Sequence, residues 1–376
     1  MDTMKLNTTN HLLPHHHHHR EKIVVVMGAT GTGKSRLSID LATNFSPSEI
    51  INSDKMQIYK GLSITTNKIP VHERSGIPHH LLDEFDSSEH ELTPFDYRSL
   101  ADETVSEIFS RNCLPVLVGG SNSLIYGFLT KELSSSDSLS LSSSSLDFFC
   151  SSAEEDGVSG ELRYDCCFLW IDVALPVLKE YLSLRVDQMI DSGMFEELSK
   201  FYECQEEEDD EERTPVCRTG IRKSIGVPEF KRFFKLFPPG ENNYWNQHYT
   251  NGNVLCTNGC IGTNGGTAVS SVVKSIRDGC FECGGGGGGG GVERRREMKM
   301  VFEEAVEAVK CNTYELAIRQ IKKIERLRLI GWNIQKLDAT EVFRAVLESD
   351  SGKSSDIWDK EIVEKSVKIV KKFLDE

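Results

Sequence analysis

The sequence predicts an α/β fold in which a parallel β-sheet is flanked by helices and carries a small helical insertion. Three short apolar runs, at 23–26, 114–118 and 166–171, are nearly continuous, which is typical of parallel strands buried on both faces. Each run leads into glycines or a carboxylate, and stretches with helical periodicity separate the runs. This alternation of strands and helices favours an α/β fold.

A glycine-rich loop follows the first apolar run, and Leu37 and Leu41 then recur at helical spacing. The pattern Gly-x4-Gly-Lys-Ser at 28–35 matches the phosphate-binding loop, so the predicted fold is P-loop NTPase-like. Glycines let backbone N–H groups turn toward phosphate oxygens, the lysine adds a positive charge, and the Ser35 hydroxyl is placed to ligate Mg²⁺. The alternative is a coincidental glycine-rich turn. We expect a phosphate or diphosphate ester to be bound by Gly28, Ala29, Thr30, Gly31, Thr32, Gly33, Lys34 and Ser35.

Polar residues follow the next two predicted strands. The segment 49–52 leads into Ser53 and Asp54, and the apolar run 114–118 leads into a Gly-Gly-Ser turn. Between them, Phe95 to Arg111 has the apolar face of a helix. Because open parallel sheets build their sites at the carboxyl ends of strands, we expect Asp54 to lie in the site.

The third apolar run ends at Asp172, and a long helix is predicted from Val177 to Lys200. Arg185 lies in an apolar stripe of this helix. A buried arginine needs an anion or a carboxylate partner, unless its head group reaches water while its stem packs on the stripe. Both interpretations stay open from the sequence.

Helical periodicity returns from Val292 to Ile330, with one interruption predicted near Asn312. Arg319, Lys323 and Arg326 form a basic stripe on this segment. Such a stripe is usually a solvent face, but in an acidic chain it is also a candidate phosphate-binding face.

Composition limits the function classes. The chain of 376 residues has a formal net charge of -15, which disfavours extended binding to nucleic acid. No apolar run approaches the roughly 18 residues of a membrane-spanning helix, so we expect no membrane association. Eleven scattered cysteines lack the dense spacing of a secreted disulfide scaffold, and we expect an intracellular protein.

We predict three regions in the chain. Residues 1–22, which include five consecutive histidines, are predicted to be disordered; residues 23–345 form the P-loop domain; and residues 346–376 form a C-terminal helical tail. Low-complexity inserts are predicted at about 134–160, 204–214 and 240–292. In the last insert, Cys256, Cys260, Cys280 and Cys283 have the spacing of a four-thiolate zinc site, but few apolar residues flank them to build a zinc ribbon.

Two enzyme classes fit a phosphate-binding loop beside strand-end carboxylates. In a small-molecule kinase, Asp172 would act near Mg²⁺ and Asp54 would orient the acceptor hydroxyl. In a transferase, the loop would instead bind a diphosphate leaving group. The loop alone favours the kinase, because most such loops bind nucleotides.

An ordered series of motifs changes this preference, because it closely resembles the isopentenyltransferase family. That family comprises tRNA dimethylallyltransferases and the plant adenylate isopentenyltransferases that begin cytokinin synthesis, and the plant branch is the more similar. The motifs are Gly28–Ser35, Ile50–Tyr59, Thr66–Lys68, Ile77–Leu82, Gly119–Ser123, Leu169–Val173, Arg185–Gly193, Gly220–Gly226 and Asn312–Gln320.

The resemblance implies transfer of a dimethylallyl group from dimethylallyl diphosphate to the exocyclic amine of adenine, with release of diphosphate and with Mg²⁺ as cofactor. In this family the loop holds the donor's diphosphate, and Asp54 matches the catalytic aspartate that accepts a proton from the amine. Thr30 and Lys34 are the other expected catalytic residues. His79 and His80 have either a structural or a site role. Further residues expected to bind phosphate or substrate are Lys68, Arg222, Ser53, Gln57, Ser121, Ser123, Asp172, Arg185, Lys223 and Arg319.

The acceptor is expected to be free ADP or ATP rather than AMP or tRNA. Eukaryotic members that act on tRNA often carry a terminal zinc finger, and here no Cys or His follows residue 330. The basic stripe is then a candidate site for the polyphosphate. We expect a monomer in the cytoplasm, with the plastid as the alternative compartment; only about 22 residues precede the first strand, fewer than a transit peptide normally has.

Overall fold

In a computed structural model, the protein is described over residues 20–86, 91–131, 160–203, 220–239, 273–274, 276–277 and 290–376. Within these residues, six strands form one parallel sheet. The predicted α/β fold is confirmed. The strands are β1 (Lys22–Gly28), β2 (Ser48–Asn52), β3 (His79–His80), β4 (Leu114–Gly119), β5 (Asp165–Asp172) and β6 (Ile334–Asp338).

The order across the sheet is β3-β2-β4-β1-β5-β6, so β1 lies near the centre, between β4 and β5. In the parallel register, Val24 pairs with both Val116 of β4 and Cys167 of β5. The central position of β1 places the loop that follows it in the middle of the sheet's carboxyl edge.

Helices connect the strands and cover the sheet. Before β5 they are α1 (Lys34–Asn44), α2 (Lys55–Ile58), α3 (Pro94–Ser110) and α4 (Asn122–Leu129). After β5 they are α5 (Leu175–Asp191), α6 (Met194–Glu203), α7 (Val227–Leu236), α8 (Gly290–Leu329), α9 (Thr340–Leu347), α10 (Ser351–Ile357) and α11 (Glu364–Asp375). Short 3₁₀ turns occupy Val71–Glu73 and Gly220–Lys223, and a π-helical turn occupies Trp358–Val363.

Both faces of the sheet are buried. On β1, Ile23, Val25 and Met27 belong to one apolar cluster, whereas Val24 and Val26 belong to another on the opposite face. All five side chains are fully buried, which explains why this strand reads as a continuous apolar run rather than as an alternating one.

The predicted helical insertion is built by α6, α7 and the first half of α8. Phe195 of α6 packs against Phe230, Phe233 and Phe234 of α7 and against Phe302 of α8, with ring centroids 5.4 to 5.8 Å apart. An aromatic cluster of this kind buries enough apolar area to hold the three helices together.

Two helix predictions were wrong. The segment from 177 to 200 forms two helices rather than one, because Gly193 adopts a φ of 106° and ends α5. By contrast, α8 runs without interruption from Gly290 to Leu329, and Asn312 donates a hydrogen bond of 2.6 Å to Glu229 of α7. A tertiary contact thus holds a residue of low helix propensity inside the helix.

The segment after residue 345 packs against the amino-terminal part of the domain. Trp358 is 1% exposed, and Lys22 of β1 donates hydrogen bonds to the carbonyl oxygens of Phe373 and Leu374. The boundary at 345 stays a prediction, but these contacts join the carboxyl-terminal helices to β1 and α1.

Several predicted features lie outside the described residues: the histidine run, the acidic run, most of the serine-rich and glycine-rich inserts, and all four cysteines of the zinc pattern. Among the residues that are described, no helix combines the length and apolarity needed to cross a membrane.

Candidate active site

A pocket opens at the carboxyl edge of the sheet, where β1, β2 and β4 end. The loop after β1 forms one wall, Asp54 follows β2, and Gly119 ends β4. The described residues that line it are Thr30, Gly31, Gly33, Lys34, Ser35, Arg36, Ser38, Asn52, Asp54, Gln57, Thr66, Asn67, Ile69, His79, Leu82, Val118, Gly119 and Arg185.

The glycine-rich loop turns sharply into α1, and Gly33 at the turn has a φ of 90°. A Cβ atom on Gly33 would lie 2.7 Å from the Trp358 ring, so both backbone conformation and space require glycine. Of the residues predicted to bind phosphate, Thr30, Gly31, Gly33, Lys34 and Ser35 line the pocket. Gly28, Ala29 and Thr32 do not, and the Thr32 hydroxyl instead donates to the Ala29 carbonyl at 3.0 Å.

Lys34 is held inside the loop. Its Nζ donates to the Ala29 carbonyl oxygen at 2.7 Å. Burial lowers the pKa of Lys34 to about 8; the negative charge of Asp54 opposes this shift and the positive charge of Arg185 adds to it. Near neutral pH the ammonium group is still mostly charged, so it can stabilise a phosphate anion.

Asp54 begins α2, and its carboxylate accepts a hydrogen bond of 3.2 Å from the backbone N–H of Met56. Burial raises the pKa of Asp54, while the nearby Lys34 charge works in the opposite direction. A carboxylate that combines a raised pKa with a place in the pocket is suited to accept a proton.

Arg185 of α5 reaches the same pocket. Burial lowers its pKa, and the charges of Tyr181 and Asp54 counteract this shift. A Cβ on Gly31 would lie 3.5 Å from Arg185 Nη1, which places the guanidinium beside the loop. Of the two interpretations of this residue, the structure favours an anion-facing arginine.

Gln57 lines the pocket and holds two other lining residues in place. Its amide nitrogen donates to the carbonyl oxygens of Thr66 and Asn67, both at 3.1 Å. His79 also lines the pocket, and its Nδ1 lies 2.8 Å from the Ile77 carbonyl. His80 has a structural role, because its Nε2 lies 2.7 Å from the Glu49 carboxylate.

The three serines predicted to bind substrate do not line the pocket. Ser53 is fully buried. The Ser121 hydroxyl accepts from the backbone N–H of Lys55 at 2.9 Å, so it fixes the start of α2. Ser123 lies in the first turn of α4.

Two predicted phosphate-binding lysines are held by carboxylates outside the pocket. The Lys68 ammonium donates to the carbonyls of Tyr59 and Gly61, at 2.5 and 2.6 Å, and to the Asp83 carboxylate. Lys223 pairs with Glu91 at 2.7 Å. Neither lysine is among the described residues that line the pocket, and their role in binding phosphate stays a prediction. Arg222, beside Lys223 in a 3₁₀ turn, also lies outside the pocket lining.

Asp172 and Arg319 are also absent from the lining. Asp172 forms an ion pair of 2.7 Å with Lys336 of β6, a strand that the sequence did not reveal. Arg319 lies on the exposed face of α8 and approaches Glu315 at 3.8 Å. The role of the basic stripe as a phosphate-binding face of this pocket is therefore not supported for Arg319.

Sequence reasoning missed several residues of the site. Asn52, Ile69, Leu82 and Val118 line the pocket, and Gln320 of α8 accepts a hydrogen bond from the loop. A signal was available for Gln320, because it is the last residue of the motif Asn312–Gln320 and follows the apolar Ala317 by about one helical turn.

Comparison with known proteins identifies the family. A family model described as IPP transferase matches residues 57–147 and 145–249. The chain belongs to the IPP transferase family. Among curated members, it is 49% identical over 356 residues to an adenylate isopentenyltransferase of Humulus lupulus, a match that covers 93% of this chain and 90% of the relative. It is 41% identical to the chloroplastic adenylate isopentenyltransferase 1 of Arabidopsis thaliana, over 93% of this chain and 80% of that one.

Solved structures agree with this IPP transferase fold. A eukaryotic dimethylallyltransferase acting on tRNA superposes with a TM-score of 0.61 at 23% identity, over 94% of this chain and 80% of that one. The tRNA isopentenylpyrophosphate transferase of Bacillus halodurans gives a TM-score of 0.53 at 21% identity, over 90% of this chain and 98% of that one. At such low identity these likenesses establish the fold alone.

Proposed function

We propose that this protein is an adenylate isopentenyltransferase that transfers a dimethylallyl group from dimethylallyl diphosphate to the N6 amine of ADP or ATP. The products are diphosphate and the prenylated nucleotide, the first intermediate of cytokinin synthesis. One observation carries the proposal: Lys34 and Asp54 line the same pocket, close enough that each shifts the pKa of the other.

The donor's diphosphate belongs on the loop side of this pocket. As the allylic C–O bond breaks, negative charge grows on the departing diphosphate. Lys34, Arg185 and the backbone N–H groups at the start of α1 stabilise that charge where it develops. Because the groups are already in place, little reorganisation is needed during the reaction.

Asp54 acts as the base for the acceptor nucleotide. A new bond forms between N6 of adenine and the allylic carbon, the C–O bond to diphosphate breaks, and the amine loses one proton to the Asp54 carboxylate. Burial raises the pKa of Asp54, which makes it a stronger base than an exposed aspartate. An aromatic amine is a weak nucleophile, so both a positioned base and an ionised donor assist the attack.

The residues present fit a magnesium ion bound mainly through substrate. Ser35 lines the pocket, and the described residues contain no group of three or more His, Cys, Asp and Glu side chains that could hold a metal. Mg²⁺ commonly uses few protein ligands together with waters and phosphate oxygens, and Ser35 would supply its hydroxyl. When bound, Mg²⁺ would neutralise part of the diphosphate charge.

A free nucleotide is favoured over tRNA as acceptor because the net charge of -15 opposes binding to an RNA backbone. The curated relatives described above carry the name adenylate isopentenyltransferase and match nearly the whole chain, which supports the same choice.

The deciding assay incubates the protein and dimethylallyl diphosphate with Mg²⁺ and, separately, ATP, ADP, AMP or unmodified tRNA. Mass spectrometry then detects a prenylated product. We expect product with ADP and ATP, and less with AMP. Product with tRNA alone would move the protein to the tRNA branch, and phosphorylation of an added acceptor without any prenylation would restore the kinase.

We place the protein in the cytoplasm as a monomer, with the plastid as the alternative compartment. Fusion of residues 1–40 to a fluorescent reporter tests the compartment: plastid fluorescence would overturn the cytoplasmic assignment. Light scattering of the purified chain tests the monomer, and a mass of twice 42.2 kDa would contradict it.

A further inference from the structure

Gln320, on α8, connects the phosphate-binding loop to the end of the neighbouring strand. Its side-chain oxygen accepts the backbone N–H of Thr30 at 2.7 Å, and its side-chain nitrogen donates to the Gly120 carbonyl at 3.1 Å. The backbone carbonyl oxygen of Gln320 accepts a hydrogen bond of 3.2 Å from the Asn122 side-chain amide. These contacts bridge 198 to 290 residues of sequence.

The surroundings leave the Gln320 amide one orientation. The residue is 7% exposed, and a Cβ on Gly120 would lie 2.4 Å from its side-chain nitrogen. Rotating the amide by 180° would place oxygen against the Gly120 carbonyl and nitrogen against the Thr30 N–H, and both hydrogen bonds would be lost. Gln320 is thus a fixed acceptor for one N–H group of the loop.

The Thr30 N–H and the Ala29 carbonyl belong to the same planar peptide unit. Gln320 holds the N–H end of that unit, and the Lys34 ammonium donates to the carbonyl end at 2.7 Å. The orientation that Gln320 imposes on the peptide therefore determines where the Ala29 carbonyl meets Lys34. The other groups that face this carbonyl are the backbone N–H and the hydroxyl of Thr32.

We infer that Gln320 is a positioning residue for the donor's diphosphate: it fixes the Ala29–Thr30 peptide and, through it, the Lys34 ammonium. This inference rests on the proposed function, in which the loop holds diphosphate. Gln320 does not line the pocket and acts through the loop. Its loss should therefore weaken the donor end of the site and leave the acceptor end unchanged.

The test uses the full chain and inorganic diphosphate with Mg²⁺ as the probe. Gln320→Met keeps the side chain's length and removes both hydrogen bonds. Gly120→Ala keeps the glutamine at position 320. The added methyl group would lie 2.4 Å from the Gln320 side-chain nitrogen, so the amide has to move. The matched control is Gln335→Met, because Gln335 lies on β6, where its amide contacts only Asn333 among the hydrogen bonds found for the described side chains.

Calorimetry should give a dissociation constant for diphosphate about tenfold weaker in Gln320→Met and in Gly120→Ala, because the loop is no longer held in its binding conformation. The double variant should be no weaker than either single variant, since both break the same contact. The KM for dimethylallyl diphosphate should rise in parallel, while the KM for ADP should change less than about twofold. The Gln335→Met control should match the wild type.

A purely structural role predicts a different pattern. Gln320→Met would then lower the thermal midpoint and the active fraction, while diphosphate affinity and both KM values stayed at wild-type levels; that result would overturn the inference. If the wild-type protein itself failed to bind diphosphate, the proposed function would fall and the inference with it. Wild-type binding combined with equal binding by both variants overturns the inference alone.

Discussion

Burial acts in opposite directions on the two charged groups at the centre of the pocket. It lowers the pKa of Lys34 to about 8 and raises the pKa of Asp54, and each charge partly offsets the effect of burial on the other. A diphosphate placed beside Lys34 would favour its charged form. A pocket that contains both an anion-binding cation and a proton acceptor suits a reaction in which an anion leaves and a proton is lost.

The first prediction concerns Asp54. Asp54→Asn keeps the size of the side chain but removes its ability to take a proton, so kcat should fall by about 10² to 10⁴. Diphosphate binding should be retained, because Asp54 contributes no attraction to an anion. Steady-state kinetics and calorimetry measure the two quantities. Asp356→Asn, at an exposed position of α10, is the control. A variant with wild-type kcat would remove Asp54 from the mechanism.

At the same scale, the sequence identified the residues whose chemistry follows from a local motif. The Gly-x4-Gly-Lys-Ser spacing located Lys34 and Ser35, and the strand-end position located Asp54. The sequence did not reveal that Lys68 pairs with Asp83 or that Lys223 pairs with Glu91. An ion pair between separate segments leaves no local pattern in the sequence.

Among the elements, Glu49 ties two strands and a helix together. It lies on β2, and its carboxylate accepts two hydrogen bonds of 2.9 Å from Arg111, just after α3. It also contacts His80 of β3 at 2.7 Å. The bonds from Arg111 hold the pKa of Glu49 at about 2, although burial opposes the shift. These hydrogen bonds hold β2 in place, and Asp54 follows the carboxyl end of that strand.

The second prediction follows from the sign of that shift. A folded-state pKa of about 2 against an ordinary 4.5 means that ionised Glu49 stabilises the fold above pH 4.5 and loses this contribution as the pH falls toward 2. Glu49→Gln should therefore lower the thermal midpoint by a few degrees at pH 7, and the difference should shrink as the pH falls. Thermal scans across pH measure it, with Glu325→Gln on α8 as control. A difference independent of pH would contradict the assignment.

Periodicity predicted four of the six described strands, β1, β2, β4 and β5, because buried strands leave continuous apolar patterns. It failed at β3, which consists of His79 and His80 alone, and at β6, where polar residues make an edge strand hard to recognise. It also failed at Gly193, where one backbone conformation divides a predicted helix in two. β6 is defined by its pairing with β5, which is a tertiary interaction. The break at Gly193 depends on a single dihedral angle.

At the scale of the whole molecule, the carboxyl-terminal segment packs against the glycine-rich loop and α1. The Trp358 ring lies against Gly33, its Nε1 donates to Asp40 at 2.8 Å, and the Arg36 guanidinium lies 4.6 Å from the ring centre. A segment that the sequence suggested was a tail is thus packed onto the helix that begins the site. The sequence could not reveal this contact, which joins residues 318 positions apart.

The third prediction tests this packing. Trp358→Ala should reduce the free energy of unfolding by about 3 to 5 kcal/mol, because it empties a fully buried site and leaves the Asp40 carboxylate without its donor. Urea unfolding measures the loss. Lys353→Ala, on the exposed side of α10, should cost less than about 0.5 kcal/mol. A loss below 1 kcal/mol for Trp358→Ala would mean that these helices are not part of the cooperative fold.

The most direct test of the central claim is a crystal structure with ADP and the unreactive donor analogue dimethylallyl thiolodiphosphate. We expect the analogue's diphosphate on the loop at 28–35, in contact with Lys34, and the adenine amine within hydrogen-bond distance of Asp54. Phosphates of ADP on that loop, with no isoprenoid beside Asp54, would contradict the proposed prenyl transfer.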